Sequence, residues 1–278
     1  MINNLILNGY DRSGTSAISR TLSKHPDVEL VFRPFNSGSI RKKMYKILDD
    51  SNTNSEDNNF FSNLEKGIFI ESYIKSEWHF KYSTVEGDFH PNNFHIIITN
   101  INHFSIPWVN KNYPKIEQWA IWRDPIEILN SCVKNKFYGK WYKDAFDELD
   151  ETLNKNDFLK ELFYNKFTLA IKSNYVVKTA FLIAVRNYVL FKYISKSKII
   201  DYNIFEIDPN KALNGLLKHF NLKDFDFKEY LKVDLNSISS IDGFKPSVKK
   251  PIILDKNDLT IAKDFFKPLY EIYNTKTQ

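Results

Sequence analysis

The stretch Gly9-Tyr10-Asp11-Arg12-Ser13-Gly14-Thr15-Ser16 decides how the rest of the chain is read. The apolar run Asn4 to Leu7 leads into it and a helix-forming segment from Thr15 to Lys24 leads out, so it reads as a turn from strand into helix. Glycines at its two ends let backbone N–H groups point at an anion near the helix N-terminus. A nucleotide triphosphatase places Lys directly after the second glycine, to neutralise the terminal phosphates, and the next hydroxyl on Mg²⁺. Here Thr15 holds the lysine position and the cation of the loop is Arg12. The glycines alone are also compatible with a plain strand-to-helix turn.

Outward from the loop, short apolar runs alternate with helical stretches, the pattern of a parallel sheet covered on both faces. Strands are predicted at Asn4–Leu7, Val28–Phe32, Gly67–Glu71, His95–Thr99, Trp119–Trp122 and Ile199–Phe205. Helices are predicted at Thr15–Lys24, Pro125–Asn135, along a long stretch from Lys143 to Ile194, at Pro209–Phe220 and at Leu259–Tyr273. Pro125 after Asp124 and Pro209 after Asp208 are cap-then-proline starts, where the missing N–H of proline costs nothing. The polar segments Asp49–Asn63 and Ser83–Asn93 read as exposed loops. The expected fold class is α/β: a three-layer α/β/α, P-loop type of nucleotide-binding fold with a central parallel sheet. Residues 1–278 read as one domain, with a helical elaboration at about 136–195.

A second anion site is read at Gln118-Trp119-Ala120-Ile121-Trp122-Arg123-Asp124-Pro125. Arg123 ends a strand, where parallel sheets bind ligands, and Ser131 lies about two turns up the following helix. An arginine and a hydroxyl so placed can share one phosphate.

Composition narrows the function classes. A chain of 278 residues with 42% hydrophobic content is globular and long enough for a sizeable core. With 23 Phe and 15 Tyr against 8 Gly and 10 Pro, regular elements outweigh flexible linkers. A net charge of +5, dispersed along the chain, points to an anionic ligand and gives little support to nucleic-acid binding. The single cysteine, Cys132, allows neither an internal disulfide nor a cysteine-based zinc site, so a cytoplasmic location is expected. The opening apolar stretch is short for a signal sequence, and no segment approaches the ~20 apolar residues of a membrane span.

Together these residues resemble the bacterial-type sulfotransferases that use 3′-phosphoadenosine-5′-phosphosulfate (PAPS). The resemblance makes Arg12-Ser13-Gly14-Thr15-Ser16 the 5′-phosphosulfate loop and Arg123 with Ser131 the 3′-phosphate pair. It extends through His25-Pro26-Asp27-Val28, Pro34-Phe35, Tyr113-Pro114 and the closing segment Asp255–Tyr273. It implies metal-independent sulfuryl transfer from PAPS to the hydroxyl of a small-molecule or glycan acceptor. Tyr202 takes the place of a family strand end beside the nucleotide, and Lys249 lies in a basic stretch that either closes over it, as a C-terminal segment does in the family, or is a solvated loop. The family's usual base is a Glu before Pro-Phe, and this chain has Arg33 there, which cannot act as a base. Arg33 either pairs on the surface or binds an anionic acceptor such as an acidic sugar. His103 is then the candidate general base, a structural role being the alternative for a lone histidine, with Glu71 and Glu29 in reserve. The competing readings are a P-loop kinase or NTPase, and a nucleotide-binding homologue without transferase activity.

Overall fold

The apolar run that opens the chain forms strand β1 (Asn4–Asn8), buried at every position. The computed structural model describes residues 4–32, 45–66, 94–99, 103–135, 142–230 and 254–277. Four further strands join the first: β2 (Val28–Phe32), β3 (Phe94–Thr99), β4 (Glu117–Trp122) and β5 (Ile199–Asp201). All pairs are parallel and the order is β2-β3-β1-β4-β5. Ile6 at the centre of β1 lies opposite Ile97 of β3 and Gln118 of β4. The neighbours of β1 are reached in opposite directions, so a crevice opens at the carboxyl ends of β1 and β4.

Alternating side chains of β1 and β4 feed separate layers. On one face Leu5, Leu7, Trp119 and Ile121 pack against Ile18 and Leu22 of helix α1 (Thr15–Leu22). On the other, Ile6 packs against Phe60, Phe61 and Leu64 of α2 (Ser55–Glu65) and Trp108 of α3 (Ile106–Asn112). The chain thus has the expected α/β fold, a parallel sheet with helices on both faces. A helical body is added by α4 (Pro125–Lys134), α5 (Tyr142–Lys155), α6 (Asp157–Lys172) and α7 (Tyr175–Tyr193). Its core is a set of interlocked rings, with Phe181 of α7 contacting Phe146, Phe163 and Phe167. Phe265 of the last helix, α10 (Lys256–Thr277), meets the same ring edge-on. Between the body and α10 come α8 (Tyr202–Ile207) and α9 (Pro209–His219), whose Leu213 and Leu216 return to the α1 face of the sheet.

Three expectations need correction. The stretch from Lys143 to Ile194 is three helices, because Asn156 and Asn174 each accept backbone N–H bonds as helix caps. The strand expected at Ile199–Phe205 ends at Asp201, whose side chain accepts from Asn203 and Ile204 N–H and starts α8. The loop expected at Asp49–Asn63 contains most of α2, started by a capping box in which the Asn54 and Asp57 side chains bond each other's backbone N–H. The predictions at Gly67–Glu71 and Ser83–Asn93 lie outside the described residues. Among those described, no helix is long and apolar enough to cross a membrane.

Candidate functional site

The loop between β1 and α1 is shaped by its two glycines. A Cβ on Gly9 would lie 2.5 Å from both Ser13 Oγ and Thr15 Cγ2, so the turn closes only around a bare backbone. Gly14 has φ +94° and faces the ring of Tyr202, which an added Cβ would approach to 2.1 Å. Arg12 between them also adopts the left-handed conformation, with φ 70°. Ser13 N–H closes the turn on Tyr10 C=O at 3.0 Å. Gly14 caps α1 without a side-chain acceptor, so the first N–H groups of the helix face the crevice end of β1. Ser13 is buried, and its Oγ has no hydrogen-bond partner among the described residues. Thr15 is buried beside it and Ser16 is half-buried.

The loop after β4 meets this turn directly. Arg12 Nε donates to Ser131 Oγ of α4 at 3.0 Å. Arg123 Nη1 donates to the carbonyl of Arg12 at 2.9 Å, and its Nε pairs with Glu127 at 3.2 Å. The Arg123 guanidinium also lies over the Tyr202 ring, 4.6 Å from the centroid. Arg12, Ser13, Gly14, Thr15, Ser16, Arg123, Ser131 and Tyr202 therefore form one cluster at the carboxyl ends of β1, β4 and β5. Burial, and then the charge of Arg123, lower the pKa of Arg12 from its ordinary value, although an arginine stays charged. Burial raises that of Tyr202 to about 12, so its hydroxyl stays neutral.

The strand ends that carry Arg123 and Tyr202 are fixed by one device used twice. Asp124 Oδ1 accepts from Ile126 and Glu127 N–H, while its Oδ2 accepts from Tyr270 of α10 at 3.0 Å. Asp201 Oδ1 accepts from Asn203 and Ile204 N–H, while its Oδ2 accepts from Tyr273 at 3.2 Å. Trp122 of β4 stacks on Tyr273 at 3.6 Å. Sequence reading missed both tyrosines, because nothing in their spacing refers to residues so far back along the chain.

His103 lies inside the protein, in a short 3-10 turn (His103–Ser105) before α3, and is fully buried. Its Nδ1 faces Arg186 of α7, with Nε at 3.2 Å and Nη2 at 3.0 Å. Arg186 is itself 1% exposed. Its guanidinium lies 4.6 Å from the Tyr10 ring centroid and 5.5 Å from that of Tyr45, and Nη1 is 3.9 Å from Asp11 Oδ2. Burial and the charge of Arg186 hold the imidazole pKa well below its usual range. Arg186 was also missed. The signal was present: a lone cation inside the apolar run Phe181-Leu182-Ile183-Ala184-Val185-Arg186, where an unpaired charge is costly.

Glu29 is buried in β2. Arg33, Glu71 and Lys249 lie outside the described residues. Among those described, no group of three or more His, Cys, Asp or Glu is placed to hold a metal ion.

No family model and no curated protein matches the chain. Among solved structures it is similar to a sulfotransferase from Alicyclobacillus acidocaldarius, with 12% identity, TM-score 0.48 and coverage of 99% of this chain and 95% of that one. It is also similar to the sulfotransferase domain of the olefin synthase of Synechococcus PCC 7002, with 12% identity, TM-score 0.43 and coverage of 95% and 94%. At that distance, what the site does has to be argued from its own residues.

Proposed function

We propose that the chain moves a sulfuryl group from PAPS to a hydroxyl of an acceptor, a saccharide or glycan, without a metal ion. The observation that carries this reading is the hydrogen bond of 3.0 Å between Arg12 and Ser131. It joins the loop after β1 to the helix after β4, so the cations of both loops converge on one crevice. That crevice has Thr15 where a triphosphate-binding loop has Lys. A sulfuryl group carries one negative charge, whereas a terminal phosphoryl group carries roughly two at neutral pH. One arginine and the N–H groups at the start of α1 suffice to stabilise the charge that builds on the 5′-phosphate as its bond to sulfur breaks.

In this reading Ser13, Gly14, Thr15 and Ser16 line the 5′ side of the nucleotide, and Arg123 with Ser131 takes the 3′-phosphate. Arg123 Nη1 now donates to the Arg12 carbonyl and Ser131 Oγ accepts from Arg12, bonds that can be exchanged for ones to a phosphate. Tyr202 borders the adenosine, Lys249 closes over it, and Arg33 receives an acidic group of the acceptor. The single, buried Cys132 fits a cytoplasmic setting.

The test is thermal melting with adenosine 3′,5′-bisphosphate in the presence of EDTA. At a hundredfold excess over Kd, binding stabilises the folded state by about 2.7 kcal/mol, and Arg12→Ala removes most of that gain. No shift at saturating bisphosphate defeats the proposal. A shift seen only with ATP and Mg²⁺ assigns the crevice to a kinase or NTPase instead.

A further inference from the structure

The helical body carries a second concave surface that shares no residue with the crevice. It is a groove with room for about 820 Å³, lined by α5, α6 and the first turn of α7. Phe146 and Phe167, whose rings stack at 5.7 Å, are its buried floor. Tyr164, Thr168 and Ile171 share one face of α6 at i, i+4 and i+7 and form a wall. Tyr164 and Ile171 are 38% and 44% exposed, and Leu169 and Tyr175, close by in the chain, are 46% and 42% exposed. Elsewhere among the described residues only Ile204 and Ile207 are large apolar side chains exposed to this degree. Such side chains are normally exposed singly, and a cluster of them marks a contact surface.

The charges along the groove are sorted by sign. Helices α5 and α6 run antiparallel, since only Asn156 separates their ends while Phe146 meets Phe167. Asp147 and Asp150 therefore lie from that ring pair towards Asn156, and Lys172, the last residue of α6, lies the other way. Counted from the ring pair, about 9 Å of helix axis separates Lys172 from Asp147 and about 13 Å separates it from Asp150. Lys178, in the first turn of α7, joins Lys172 at the basic end. The side chains of Asp147, Lys172 and Lys178 make no hydrogen bond or ion pair among the described residues, and that of Asp150 accepts only from Asn154.

A groove that is acidic at one end, basic at the other and apolar between is complementary to itself turned end for end. We propose that this face is the interface of a homodimer, in which a second copy of the chain lays its α6 antiparallel across the groove. A twofold axis through the apolar wall brings Lys172 and Lys178 of each copy to Asp147 and Asp150 of the other, so every contact occurs twice. The exposed Tyr164 and Ile171 of each copy enter the groove of the other. Burial of those side chains supplies the affinity. The charge pairs, worth little one by one in water, fix the register. An anionic or cationic small ligand, by contrast, would meet its own charge at one end.

The test is sedimentation equilibrium of the full chain at about 100 μM, well above a micromolar Kd. The wild type is expected at twice the chain mass. Ile171→Glu, at an exposed position, is expected to keep the wild-type circular-dichroism spectrum and to weaken the dimer at least tenfold. K172E/K178E makes the groove acidic throughout, and D147K/D150K makes it basic throughout. Each of these variants alone is expected to be monomeric, because like charges meet at one end. Their equimolar mixture is expected to recover twice the chain mass, because both ends then pair. A monomeric wild type at this concentration overturns the inference and leaves the groove to another occupant. A dimer that survives both Ile171→Glu and the charge reversals overturns it too, as does a mixture that stays monomeric. All of these substitutions lie outside the crevice, so bisphosphate binding is expected to be the same in every variant.

Discussion

The two arginines at the rim of the crevice and the one buried behind the loop after β1 are built in opposite ways. Arg12 and Arg123 at the rim hold replaceable partners: a serine hydroxyl, a backbone carbonyl and a half-exposed Glu127. Arg186 in the interior holds Asp11 and His103 and is covered by Tyr10 and Tyr45. A partly exposed ion pair contributes little, so the rim cations are free to exchange their bonds for those of a ligand. A buried cation has no such freedom, because solvent cannot replace a lost partner. The difference teaches that residue type alone does not mark a ligand contact. What marks it is whether the present partners can be given up.

The largest expected effect breaks the comparison at its interior end. Arg186→Met removes the buried cation that faces Asp11 and donates to His103, and is expected to remove about 3–5 kcal/mol of stability. Arg123→Met is expected to remove about 1 kcal/mol or less, and to lower affinity for the bisphosphate by at least tenfold through the lost phosphate contact. Urea melts and calorimetry of both variants decide the matter. Equal losses of stability erase the distinction between rim and interior.

Next in size is the turn itself. Gly14→Ala places a methyl group at φ +94° and against the Tyr202 ring. The strain alone is worth about 1–3 kcal/mol, and displacing Tyr202 also removes the ring that carries Arg123. Both stability and bisphosphate affinity are therefore expected to fall. Gly215 in α9 supplies the contrast, since a Cβ there meets nothing within 4 Å. Gly215→Ala is expected to raise stability by about 0.5–1 kcal/mol and to leave affinity alone. If the two glycines respond with the same sign, the turn does not depend on its backbone conformation.

The rim was legible in the sequence because its residues sit at fixed offsets from two strand ends. Arg12 and Thr15 are read against the glycines beside them, and Arg123 and Ser131 against the proline that starts α4. Of the interior, His103 and the odd cation Arg186 were readable one by one, but their meeting with Asp11 was not, because the three come from separate elements and only tertiary packing joins them. The same division explains the errors in the fold. At Ile199–Phe205 the apolar run suggested one strand, but the side chain of Asp201 captures two N–H groups and turns the chain into a helix. At Asp49–Asn63 polar composition outweighed the periodicity of Phe60, Phe61 and Leu64, which dock against Trp108 and Tyr113. In the long helical stretch, Asn156 and Asn174 were readable as caps, and the apolar content around them hid both.

The smallest expected effects concern the supports behind the rim. Tyr270 and Tyr273 both donate to aspartates that cap helices, and each cap neighbours a residue of the crevice: Asp124 follows Arg123 and Asp201 precedes Tyr202. Tyr270→Phe and Tyr273→Phe keep the ring packing on Trp122 and remove one hydrogen bond each. Each is expected to cost about 0.5–1.5 kcal/mol. Each aspartate still accepts two backbone N–H bonds, so the strand ends should hold and bisphosphate affinity should stay within about twofold. The two sites have separate partners, so the double variant is expected to be additive within about 0.5 kcal/mol. A larger coupling would mean that α10 moves as a body when one tyrosine is lost. An affinity loss beyond tenfold in either single variant would place the last helix in the binding machinery itself. The boundary between rim and interior would then have to be drawn behind α10, not behind the loop.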